Sequence, residues 1–186
     1  MTPFEYITVL ISIILGLGIT QIVSGLAYII QKWGQVKLYW PHLMWIVFVF
    51  FLHIQEWWVL YKMRFISVWM LPTFLFTILY PINLFILARI LFQGESMHES
   101  TDFKIFYFKN FRKFFLWAVI LISLSLTDNL IFNGYTWTQQ PIQIILLMLM
   151  LYLIYKKPQQ EWVHKSLVIL LMLYVIRQSN SQRLDY

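Results

Sequence analysis

Residues 40–61 read WPHLMWIVFVFFLHIQEWWVLY. A helix crosses the roughly 30 Å hydrocarbon layer of a membrane with about 20 mostly apolar residues, and this stretch has that length. Its only formally charged residue is Glu56, and tryptophans stand near both ends, at Trp40, Trp45, Trp57 and Trp58. Amphipathic rings gather at the level of the lipid headgroups, so the segment predicts one membrane-spanning helix with its own interfacial anchors.

The same pattern recurs on both sides. Residues 5–31, 67–92 and 113–133 are long enough to span. Two further runs are shorter: 137–155 begins with the polar Thr138, Gln139 and Gln140, and 161–177 carries His164 and Lys165 in its first turns. The expected fold class is all-α, a polytopic transmembrane helical bundle of six spans, or five if the last segment stays within the protein. Composition agrees. Of 186 residues 60% are apolar and 12% charged, against about 45–50% and about 25% in soluble domains. A disordered chain is excluded, and a cytosolic enzyme disfavoured. No linker, repeat or low-complexity tract divides the chain, so 1–186 is read as one integral membrane domain.

Cysteine is absent, which removes disulfides, thiol redox chemistry and cysteine-ligated metals. The net charge of +6 comes from basic residues at the ends of apolar runs, where anionic lipid attracts them, so the bilayer rather than nucleic acid is the expected partner. With the N-terminus outside, Lys32, Lys37, Arg89, Lys104, Lys109, Arg112, Lys113, Lys156, Lys157 and Lys165 fall on the cytoplasmic side and Lys62, Arg64, Arg177 and Arg183 outside. That asymmetry follows the positive-inside rule. The first run lacks a preceding basic residue and is too long for a cleavable signal peptide, so it is expected to remain as a helix.

The one long connection, 93–112, opens with Gly94 and with Ser96 and Glu99 at capping-box spacing. Phe103, Phe106, Tyr107, Phe111 and Phe114 then recur at helical spacing beside Lys109, Arg112 and Lys113. Two readings stand level: a short amphipathic helix on the cytoplasmic membrane surface, or a connector whose aromatics pack under the bundle. Asn133-Gly134 is a tight-turn signal.

In the first helix Ser12, Gly16, Thr20 and Ser24 stand four apart, with Gly18 and Gly25 on a neighbouring face. Small residues let membrane helices approach closely, so this stripe is expected to face protein, either another helix of the chain or a second copy in a homo-oligomer. In the third helix Pro81 removes a backbone hydrogen bond and predicts a kink.

The residues that most need a reason are acidic. Apart from Glu5 and Glu161, which open their runs, only Glu56 and Asp128 lie inside predicted spans, where a carboxylate is costly unless it is neutral, paired or wetted. Helices two and four run the same way, so both acids sit at similar depth in the outer half. His53 is three residues before Glu56, and Asn129 follows Asp128. An ion or proton path through His53, Glu56, Asp128 and Asn129 and a purely structural polar clasp are weighed equally. His42 and His164, near the inner surface, are the pair a haem would need, but their flanks read equally as interfacial belts, so no cofactor is predicted. No metal-ligand spacing, phosphate loop or nucleophile elbow occurs, and an enzyme is not the favoured class.

FEYITVLISIILGLGIT at the start, with YWPHLMW and FLHIQEWW, resembles an uncharacterised family of small polytopic bacterial inner-membrane proteins. The resemblance covers about the first third of the chain. It implies location in the bacterial inner membrane and carries over no functional residue. The resulting expectation is an ion or proton transport component. Its rivals are an accessory protein that recruits a cytoplasmic partner through the aromatic and basic connector, and a haem or quinone redox protein.

Overall fold

Large apolar side chains cover the outside of the folded chain as well as its interior. The computed structural model describes residues 3–65, 69–92, 102–132 and 134–181. Four of its helices are long and apolar enough to cross a membrane, yet only 28–33% of their most apolar windows is buried inside the molecule. Helices that are apolar all round need an apolar surrounding, and side chains such as Ile13, Leu17, Val47, Ile54, Leu75 and Leu116 point outward. The protein is an all-α bundle with the surface of an integral membrane protein.

Six α-helices occur among the described residues: α1 Pro3–Gln31, α2 Trp40–Lys62, α3 Leu71–Ile90, α4 Phe103–Ile131, α5 Pro141–Lys156 and α6 Glu161–Ser181. The four candidate spans are α1 to α4. With 16 residues, α5 is about 24 Å long at 1.5 Å per residue, short of a full crossing. Proline at the first turns of α2, α3 and α5 supplies a preset φ where no amide partner is needed. Gly134 holds φ at +64° after α4, a value glycine adopts without cost; Asn133 beside it lies outside the described residues.

The connector differs from a separate surface helix. Residues 103–131 form one helix of 29 residues, with no glycine or proline to interrupt it. Phe103, Phe106, Tyr107, Phe111 and Phe114 are buried, while Lys109, Arg112 and Lys113 are exposed. The aromatic face is therefore covered by protein, as in the second of the two readings. Gly94, Ser96 and Glu99 lie outside the described residues. Asp102 caps α4, its Oδ1 accepting from the amides of Lys104 at 2.9 Å and Ile105 at 3.2 Å.

At this connector end the packing is aromatic and pinned by histidines. Trp45 lies 5.0 Å from Phe114 and 5.7 Å from Phe115 between ring centroids. His42, 2% exposed, donates from Nε2 to the carbonyl of Leu91 at 2.9 Å, one of the carbonyls that the end of α3 leaves free. His164 uses both ring nitrogens: Nε2 donates to the carbonyl of Pro158 at 3.0 Å, and Nδ1 accepts from the Tyr107 hydroxyl at 2.9 Å. A carbonyl only accepts, which fixes the neutral tautomer. Glu161 bridges Lys104 and Lys165 beside it.

The small-residue stripe of α1 takes a different place from the one expected within the chain. Gly16, Thr20 and Ser24 are exposed and Ser12 is half-buried; the close approaches run through Gly18 against His53 and Gly25 against Phe92. The reason is rotational: α1 packs chiefly along α3, which turns the neighbouring glycine face inward. Pro81 is buried within a helix that continues from Leu71 to Ile90.

Candidate functional site

Above the aromatic half, toward the end where α1 begins, the bundle encloses a chamber of about 400 Å³. Helical spacing builds each wall. On α2, Gln55 and Glu56 come nearly two turns before the helix end at Lys62; on α3, Thr77 and Tyr80 are three apart; on α4, Ser125, Asp128 and Asn129 follow at i, i+3 and i+4 and so share a face. The start of α5 adds Gln139, Gln140 and Gln143, and all of these side chains line the one chamber. Its rim holds the exposed Gln55, Tyr135 and Gln139, and its depth the buried Glu56, Thr77 and Gln140.

The corner between α4 and α5 is stitched by amides. Asn129 Nδ2 donates to Gln140 Oε1 at 2.9 Å and to Gln143 Oε1 at 3.4 Å, and Gln143 Nε2 donates to Ser125 Oγ at 3.5 Å. Glu56 is 9% exposed and accepts no hydrogen bond from any described residue. The Gln140 amide nitrogen also lacks a partner among them, although that residue is 4% exposed. Buried polar groups are usually satisfied, so both carry unused capacity. Among the described residues no Lys, Arg or His lines the chamber.

Of the residues singled out in the sequence, Glu56, Asp128 and Asn129 meet in this chamber. His53 does not line it. Its Nδ1 donates back to the carbonyl of Val49 at 2.7 Å, and its Nε2, unpartnered among the described residues, faces Gly18 of α1. Thr77, Tyr80, Ser125, Gln140 and Gln143 join Glu56, Asp128 and Asn129 on the chamber walls, without a spacing signal in the sequence that marks them as a site. Ser125 stands one turn before Asp128, and the polar start of the fifth helix was read only as a shortening of its span.

Among the described residues no group of three or more His, Cys, Asp and Glu is placed to hold a metal ion. A haem between His42 and His164 does not fit these side chains, because both nitrogens of His164 and Nε2 of His42 are already hydrogen-bonded. No known protein family, curated protein or solved structure matches the chain.

Proposed function

We propose that this integral membrane protein is a cation-transport component in which Glu56 and Asp128 receive a proton or another cation from the outer side of a bacterial inner membrane. The observation that carries the reading is the meeting of two intramembrane carboxyl groups from α2 and α4 in one chamber whose described walls are largely polar. A polar clasp would bring the acid against a donor, and Glu56 has none among the described residues. Charged groups at membrane depth mark ion and proton routes by default.

The accessory-protein reading loses its main support, because the connector aromatics that would recruit a partner are buried. A homo-oligomer belongs to the proposal: the exposed Gly16, Thr20 and Ser24 offer a second copy a close-packing face.

Reconstitution into liposomes with a pH-sensitive dye inside tests the function. Native protein is expected to pass protons or a co-supplied cation, and Glu56→Gln or Asp128→Asn to lower that flux about tenfold or more, as loss of a charge-assisted contact does. Equal flux in the variants, or no flux in the native protein, defeats it.

A further inference from the structure

We infer that the chamber takes a neutral solute with several hydroxyl groups on a small carbon ring, the chemistry of a sugar or cyclic polyol. The inference goes beyond the cation-transport reading and does not depend on it. It starts from open hydrogen-bonding capacity of both senses on the walls. Gln140 lines the chamber at 4% exposure; its Oε1 accepts from Asn129, and its Nε2 has no acceptor among the described residues. Turning this amide alone would set its NH2 against that of Asn129, so Nε2 is the open donor. The acceptors stand on other helices. Glu56 on α2 offers carboxyl oxygens. Thr77 on α3 is buried and has committed its proton to the carbonyl of Thr73 at 2.9 Å, so its Oγ1 can only accept.

An occupant that fills these positions accepts from the start of α5 and donates toward α2 and α3. A metal cation meets acceptors alone, and a bare anion donors alone. A hydroxyl group does both, and it bonds a carboxyl group whether or not that group holds a proton, so the match needs no count of charges. The remaining walls agree in chemistry: Gln55, Gln139 and Gln143 are amides, Ser125 is a hydroxyl, and Phe76, Tyr80 and Tyr135 supply rings whose apolar bodies suit the C–H face of a sugar ring. The space of about 400 Å³ lies within the range of small-molecule pockets, about 300–1,000 Å³. A phosphorylated or acidic solute would find no Lys, Arg or His on the described walls.

Isothermal titration calorimetry of the purified full chain, in a detergent without a sugar headgroup, tests this with glucose and ethanolamine as probes. Glucose is expected to give a saturable heat, and ethanolamine, a cation with one hydroxyl, to bind about tenfold or more weakly for want of the other hydrogen bonds. Gln140→Leu should weaken glucose about fivefold, the worth of one neutral hydrogen bond. Gln140→Glu keeps the oxygen that Asn129 needs and lacks the NH2; it should weaken glucose at least as much, which separates the lost donor from lost packing. The probe ranking on the native chain decides even where a variant fails to fold. No heat from glucose, ethanolamine binding as tight as glucose, or glucose binding indifferent to both Gln140 variants overturns the inference. Proton flux in liposomes without any glucose heat removes it and spares the transport reading; glucose binding without flux of any cation supports it and removes transport instead.

Discussion

A Cβ at Gly18 would meet His53 Cδ2 at 2.8 Å, and one at Gly16 would meet nothing within 4 Å. Gly18→Ala is therefore expected to destabilise the bundle by about 1–3 kcal/mol through overpacking, and Gly16→Ala to leave it unchanged or slightly firmer, since alanine favours helix. Thermal unfolding of the two variants in one detergent checks this, and equal melting temperatures would remove the close approach. Glu161 gives a pH dependence. The Lys104 side chain, then that of Lys165, holds its carboxyl down to about 2. A lowered folded value contributes stability above the ordinary carboxylate range, and that contribution is lost as pH falls from about 4.5 toward 2. Water reaches the pair, so the effect is small; Glu161→Gln should flatten that part of a melting-temperature profile against pH. At this scale the two acids were legible because a carboxylate in an apolar run has few reasons to be there. His53 was not: three residues place it about 60° around the helix from Glu56, enough to face α1 in place of the chamber.

Asp102 shows what sets the length of an element. It accepts two amide hydrogen bonds at the start of α4, and the Phe103 amide donates to the Lys37 carbonyl at 3.0 Å, so the cap also ties the loop before α2 to the helix. Asp102→Ala should cost about 0.5–2 kcal/mol and Asp102→Asn much less, measured by urea or thermal unfolding. Apolar run length located each α-helix among the described residues, but it divided α4 in two. Charge was the misleading signal: Lys109, Arg112 and Lys113 suggested a lipid surface, and the same helix turns its opposite face into the protein. The stripe on α1 is open for a related reason, since four-residue spacing marks a face without saying whether a helix of the same chain or a second copy meets it. The far wall of the chamber was harder still to foresee, because Gln140 and Gln143 enter it through the turn that follows α4, and no pattern within one helix announces a contact made between two.

Absence of cysteine makes the orientation of the molecule directly testable. Single cysteines at the exposed Gln35 and Gln159 mark one end and one at Thr138 the other. In intact cells an impermeant maleimide is expected to label only position 138, as the distribution of basic residues requires; labelling at 35 without permeabilisation would invert the topology. Gly16→Leu, on the exposed face of α1, should leave folding intact and abolish disulfide-type cross-links between copies carrying a cysteine at Ser24, if copies pair there.

The aromatic half of the bundle has a kinetic consequence. Trp45, Phe114 and Phe115 close against one another below a cavity whose polar walls stop short of them, so the arrangement is a cul-de-sac. On the cation-transport proposal, a cation would leave by the mouth it entered while the bundle keeps this shape, and net passage would require the rings to part and reseat. Uptake should then saturate with concentration, and a planar-bilayer recording should stay electrically silent instead of showing unitary currents.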